Sequence, residues 1–279
     1  MTMDARSLDV GGPLLLIGCG KMGGALLSGW LASGVAADTV TVVEPYAPAA
    51  AEVAAKGVAV CDALDQTPAD LAPAVVLLAV KPQMMDAVMP GCARFAGAGS
   101  VFLSIAAGKT LGYFESHLGG QAAIVRAMPN TPAAVGRGMT VLVANAPVSP
   151  AQRDLCGALL GAAGETDWVE DEALLDAVTA VSGGGPAYVF LLIEVLAQAG
   201  IDAGLPEALA MRLARVTVAG AGELVYRSTE PASVLRQNVT SPGGTTLEAL
   251  KVLMAEDGLQ PLMTRAIAAA TRRSRELAS

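Results

Sequence analysis

Leu14-Leu15-Leu16-Ile17-Gly18-Cys19-Gly20-Lys21-Met22-Gly23 decides the fold. A short apolar run that stops at glycine reads as a buried parallel strand. The glycines after it keep G-x-G-x-x-G spacing. Gly18 permits a tight turn, Gly20 lets a pyrophosphate approach the backbone, and Gly23 lets helix and strand pack closely. That spacing alone is weak. Here a strand precedes it, a helix over residues 25–31 follows, and a second strand over 39–43 ends on an acid, Glu44. Glu44 stands about twenty residues past Gly23, where a ribose-binding acid belongs. The stretch therefore reads as a dinucleotide-binding unit.

Working outward, further strands are expected at residues 75–80, 101–105, 123–126 and 140–143, with helical segments at 48–56 and 82–94. Alternation of this kind favours a parallel sheet with helices on both faces. One more helix is expected over 150–163 and a last short strand over 165–169. After about Asp171 the β-branched runs stop. Helices follow one another at 173–181, 186–199, 206–226, 231–238, 245–255 and 259–277, several with proline near the first turn. The expectation is an α/β domain over residues 1–170 and an all-α domain over 171–279. Residues 186–199 and 206–221 are apolar on more than one face, which points to packing against another copy of the chain.

Composition narrows the function classes. With 53% hydrophobic and 16% charged residues in 279, the chain is folded, not disordered. A net charge of −8 argues against a nucleic-acid partner, since phosphates need a basic surface, and none is expected. The longest apolar stretch, residues 187–195, is broken by Glu194 and is too short to span a bilayer, so no membrane partner is expected. No basic-then-apolar leader opens the chain, and residues 1–12 read as a loose lead-in. Cys19, Cys61, Cys92 and Cys156 form no C-x-x-C pair and read as reduced thiols of a cytoplasmic protein. No metal site is expected.

At the far end, Ser241-Pro242-Gly243-Gly244-Thr245-Thr246 reads as a helix entry with hydroxyls able to cap the first turn. Its free N–H groups and dipole end suit a small carboxylate. Between the two ends stand Val80-Lys81-Pro82-Gln83, Ser104-Ile105-Ala106-Ala107-Gly108, Arg126-Ala127-Met128-Pro129-Asn130-Thr131-Pro132 and the run Ser182-Gly183-Gly184-Gly185-Pro186-Ala187-Tyr188-Val189-Phe190.

In this order, from about Leu14 to the C-terminus, these motifs resemble the pyrroline-5-carboxylate reductases. The resemblance implies a Rossmann domain followed by a helical dimerisation domain, with dimers often built into rings. It implies reduction of 1-pyrroline-5-carboxylate to L-proline by NADH or NADPH. It implies that Ser241, Gly243, Gly244, Thr245 and Thr246 hold the substrate, its carboxylate at the helix entry and Thr246 at the ring nitrogen as the catalytic contact. Asn130 is implied near substrate and nicotinamide. Gly18, Gly20, Lys21, Met22, Gly23, Glu44, Ala79, Val80, Lys81, Pro82, Ala106, Ala107, Gly108, Pro129, Asn130 and Thr131 are implied around the coenzyme.

Two departures stand out. Gly184 replaces a serine common in the family. Glu44-Pro45-Tyr46 stands where many NADPH-using members carry small hydroxylated or basic residues, which favours NADH here. His117, the only histidine, sits beside Glu115 and Gly119 and reads as a solvated turn residue, not a proton donor. The enzymatic rival is a β-hydroxyacid dehydrogenase, whose base is usually a lysine on the first long helix of the helical half. Residues 182–200 contain none. The rival of another class, a regulatory protein that binds NAD(P)H without turnover, has no need of Ser241–Thr246.

Overall fold

The structure, a computed structural model, describes residues 8–97 and 99–278. Residues 1–7 of the expected lead-in lie outside the described residues. By its contacts the chain divides into two compact units: residues up to Gly183 together with those from Thr271 on, and Gly184–Ala270.

The first unit begins with β1 (Leu14–Ile17), α1 (Lys21–Ala32), β2 (Val40–Val43), α2 (Ala47–Ala54), β3 (Ala59–Cys61), β4 (Val75–Leu78), α3 (Met85–Cys92), β5 (Val101–Ser104), α4 (Leu111–Leu118) and β6 (Ala123–Met128). It continues through β7 (Gly138–Ala144), α5 (Pro150–Gly161), β8 (Gly164–Trp168) and α6 (Leu174–Val178). The eight strands lie in the order β3-β2-β1-β4-β5-β6-β7-β8. The six strands from β3 to β6 are mutually parallel, as alternation with helices requires.

Strand side chains alternate between two cores. Leu14, Leu16, Val75, Leu77, Val101 and Leu103 face Leu26, Leu27 and Trp30 of α1. Leu15, Ile17, Val76, Leu78 and Phe102 face Met85 and Met89 of α3 and Phe114 of α4. Both faces are buried, which is why these strands read as continuous apolar runs and not as alternating ones. The chain leaves β1 for β2 on one side and returns to β4 on the other. The strand order reverses there, and that opens a crevice at the carboxyl ends of β1 and β4.

The sheet differs from a wholly parallel one at a single step. β7 pairs antiparallel with β6, Val125 opposite Ala144. The link between them holds only the 3-10 turn Thr131–Val135, too short for a parallel crossover. β3 was not expected: three residues on a sheet edge give no readable pattern. His117 lies in the last turn of α4 and not in a loop, with Nδ1 2.9 Å from the Tyr113 carbonyl oxygen.

The second unit holds α7 (Gly185–Asp202), α8 (Glu207–Arg227), α9 (Ala232–Asn238), α10 (Thr245–Leu253) and most of α11 (Leu259–Ala278). Small residues let α7 and α8 approach: a Cβ at Gly200 would lie 3.3 Å from that of Ala210. Only Ala197, Ala210 and Ala214 are buried hydrophobics there among the described residues. Val189, Phe190, Leu191, Leu192, Val195 and Leu196 of α7 are exposed. The helical run Leu174–Asp202 is 29 residues long with mean hydropathy 1.6, enough by length and composition to cross a membrane. Residues 187–195 are only the middle of this run, since helix continues on both sides of the stretch.

The last turns of α11 belong to the first unit, where Ser274 Oγ donates to Asp176 Oδ1 at 2.6 Å. Glu172, just before α6, ties three elements together. Its Oε1 accepts from Arg126 Nη1 of β6 and from the Leu111 N–H that opens α4, each at 2.8 Å. The Arg126 side chain is 6% exposed and that of Glu172 27%. Removing one partner of a buried pair costs about 3–5 kcal/mol, and the partial exposure of Glu172 places this pair at the lower end. Arg126→Met is expected to lower the thermal unfolding midpoint by several degrees, and Arg126→Lys to recover part of the loss. An unchanged midpoint in Arg126→Met would mean that the pair adds nothing to stability.

Candidate active site

The loop after β1 is built on absent side chains. Gly18 has φ +89°, and a Cβ there would lie 2.9 Å from Val80 Cγ1 and 3.0 Å from the Ala79 carbonyl oxygen. A Cβ at Gly23 would lie 2.4 Å from the Gly18 carbonyl oxygen. At Gly20 no atom stands within 4 Å of the Cβ position, so the backbone there is open to a ligand. Gly20 is also the N-cap of α1, and no side chain caps the helix. The first N–H groups of a twelve-residue helix are thus left for an anion.

Glu44 holds this loop in place. It is a buried carboxylate at the end of β2. Its Oε2 accepts from the Cys19 N–H at 2.7 Å and its Oε1 from the Tyr46 N–H at 2.9 Å. Burial and the Glu44 charge push the Cys19 thiol up to about 11, so it stays protonated at neutral pH and is a poor nucleophile. Gly18, Gly20, Glu44, Ala79, Val80 and Lys81 line one cavity of about 650 Å³ at the crevice. Its apolar wall includes Leu64, Met84 and Val88. Lys21 faces a neighbouring groove with Glu52 and Lys56.

The other coenzyme-side expectations fall on nearby turns of the first unit. Lys81 is exposed and starts the 3-10 turn Pro82–Met84, its carbonyl accepting from the Met84 N–H at 2.9 Å. Ala106 follows β5 and its N–H is held by Ser104 Oγ at 3.2 Å. Gly108 has φ +75° and packs close to Leu277 of α11. Pro129 follows the end of β6, and Thr131 opens the 3-10 turn Thr131–Val135, which packs against α1. The Asn130 amide is largely engaged. Its Oδ1 accepts from the Met139 N–H at 2.9 Å, and its Nδ2 donates to Ser182 Oγ at 3.1 Å. Ser182 stands in the run Ser182–Phe190, but its contact with Asn130, 52 residues away, leaves no local signal in the sequence.

Ser241–Thr246 belong to the second unit. Gly243 has φ +71°, and a Cβ at Gly244 would lie 2.5 Å from Ser241 Oγ. α10 begins at Thr245 with Gly244 as N-cap and no side-chain cap, so the hydroxyls do not cap the first turn as expected. The consequence is a helix entry whose leading N–H groups are open, with the Thr245 and Thr246 side chains exposed beside it.

A crevice at a strand-order reversal, a glycine loop at a bare helix N-terminus and an acid closing β2 define a protein of the dinucleotide-binding class. A family model for pyrroline-5-carboxylate reductase dimerisation matches residues 172–277. A model for NADP oxidoreductase, coenzyme F420-dependent, matches residues 14–108. The chain is 42% identical to the pyrroline-5-carboxylate reductase of Pseudomonas aeruginosa over 95% of its length and 96% of that protein. It is 42% identical to the Synechocystis reductase over 94% and 97%. Among solved structures, the Coxiella burnetii pyrroline-5-carboxylate reductase superposes with a TM-score of 0.90 at 34% identity, covering 96% of this chain and 99% of that one. The chain belongs to the pyrroline-5-carboxylate reductase family.

Gly23→Ala tests the loop. Its methyl group would meet backbone, which cannot swing aside as a side-chain tip can. NADH binding, read by fluorescence titration, should weaken at least about tenfold, the equivalent of about 1.4 kcal/mol. Wild-type affinity in that variant would show that the loop tolerates a side chain at this position.

Proposed function

We propose that this chain reduces 1-pyrroline-5-carboxylate to L-proline, the last step of proline synthesis, with NADH or NADPH as hydride source. The observation that carries the reading is the uncapped entry of α10 at Gly244–Thr246, in a chain that also bears the open phosphate loop. A dinucleotide-binding regulator needs the loop alone. A hydroxyacid dehydrogenase needs a base, and residues 182–200 hold no lysine.

The chemistry asks little of side chains. NAD(P)H supplies a hydride to the carbon of the C=N bond. The ring nitrogen, protonated in the iminium form, takes the electron pair of that bond and becomes the amine of proline. The protein binds, orients and stabilises. The N–H groups leading α10 hold the substrate carboxylate, with Ser241 and Gly243 shaping the turn. Thr246 Oγ contacts the ring nitrogen. Gly18, Gly20, Lys21, Met22 and Gly23 seat the pyrophosphate, and Glu44 the adenosine ribose, which favours NADH. Ala79–Pro82, Ala106–Gly108 and Pro129–Thr131 surround the nicotinamide. Asn130 serves it mainly by holding Met139 and Ser182 in place.

Residues 1–170 act as the dinucleotide-binding domain and 171–279 as the helical domain that binds substrate and a second copy. The second unit, with three buried alanines, has too little core to stand alone, and the exposed apolar residues of α7 and α8 supply the contact. Larger rings follow the family pattern. The cytoplasm suits four free cysteines. Light scattering at micromolar concentration should find a dimer or a multiple of it. An active monomer would overturn the self-association.

Spectrophotometric reduction of pyrroline-5-carboxylate with each coenzyme tests the activity itself. Thr246→Ala should lower kcat/KM for pyrroline-5-carboxylate about tenfold or more with NADH affinity near wild type, because a hydrogen bond to a charged group contributes about 1.5–3 kcal/mol. Thr246→Ser should recover much of the loss. Wild-type kcat/KM in both variants would leave Thr246 as a helix-start residue only.

A further inference from the structure

We propose that Asp62 sets the coenzyme choice together with Glu44, by standing beside the adenosine ribose and repelling a 2′-phosphate. The inference rests on reading the crevice as the dinucleotide site. β2 and β3 run parallel with Val43 opposite Cys61, and the Glu44 N–H donates to the Cys61 carbonyl at 3.0 Å. The next residue on each strand is an acid. Glu44 and Asp62 therefore leave the sheet side by side, and both line the same cavity. Asp65, on the 3-10 turn Leu64–Gln66, lines it too. Lys81 is the one cation among the residues lining that cavity, and it follows β4, two strands away from β2. Lys56, two residues past the end of α2, donates to Ser28 Oγ at 2.9 Å and, like Lys21, lines the neighbouring groove and not this cavity.

The two acids do different work. Each oxygen of Glu44 accepts one backbone N–H, from Cys19 and from Tyr46, which fixes the carboxylate in place and leaves acceptor capacity for a ribose hydroxyl, so its charge cannot turn away from a bound ribose. Replacing it also withdraws support from the loop that either coenzyme uses. Asp62 is exposed, and its backbone N–H donates to Gln66 Oε1 at 3.2 Å. Its carboxylate can be neutralised without disturbing the hydrogen bonds of the phosphate loop. A phosphate monoester carries about −1.5 to −2 charges near neutral pH, so it meets like charge at both positions. An exposed carboxylate acts through water, and its effect fades once the Debye length falls below about 8–10 Å.

The test is fluorescence titration of NADH and NADPH, without pyrroline substrate, on wild type, Asp62→Asn and Glu44→Gln at low and high ionic strength. The wild type should bind NADH more tightly, and the gap should narrow as salt rises. In Asp62→Asn the ratio of Kd for NADPH to Kd for NADH should fall about tenfold, a like-charge penalty of ordinary size for one exposed carboxylate. Glu44→Gln should weaken both coenzymes. An unchanged ratio in Asp62→Asn, equal losses of both coenzymes in that variant, or tighter NADPH binding by the wild type would each overturn the proposal. If the wild type binds neither nucleotide, the dinucleotide reading falls and takes the proposal with it. If it binds both yet fails to reduce pyrroline-5-carboxylate, the substrate reading falls alone, and the Asp62 ratio still decides the coenzyme proposal.

Discussion

Gly23 has room for a hydrogen atom and little more. The Gly18 carbonyl oxygen lies 2.4 Å from where its Cβ would be, and Gly18 is itself pressed against Ala79 and Val80. This close approach lets α1 start directly above β1, with its bare N-terminus at the strand-order reversal. Everything expected of the crevice depends on that placement. The uncapped N–H groups of α1 open at the carboxyl ends of β1 and β4 because the turn is this tight. Glu44 then fixes the loop from the side, using its carboxylate where a longer turn would need hydrogen bonds of its own.

The second unit answers to the opposite constraint. The sheet of the first unit buries its side chains on two faces, whereas α7 to α10 bury almost nothing by themselves. Exposed apolar side chains along α7 and α8 are costly in water, and burial against a second copy removes that cost. A chain arranged in this way couples self-association to the stability of its helical unit. The α10 entry, with its glycines and exposed threonines, sits on the unit that most needs a partner.

Much of this was legible in the chain itself. The strand of residues 14–17, the glycine spacing, Glu44 at the end of β2 and the shift to helices after Asp171 are local signals, carried by period, turn chemistry and composition. What escaped was non-local or very short. β3 is three residues long. The antiparallel step at β7 depends on a link too short to cross over. The 29-residue helical run is hidden by a break in the apolar pattern at Glu194 and by three glycines. The absence of a side-chain cap on α10 reverses an expectation that Ser241 and the threonines invited.

The sequence by itself determined the fold class, the tight glycine turn between β1 and α1 and the family, because each is written in residue types at fixed spacing. Only the tertiary structure decided how the polar groups are spent. Glu44 is bound to two backbone N–H groups, Asn130 to Met139 and Ser182, and Glu172 to Arg126 and Leu111. Strand register alone sets Asp62 beside Glu44. A side chain offers the same donors and acceptors wherever it stands, and which of them remain for a ligand is settled only when distant segments pack and claim the others.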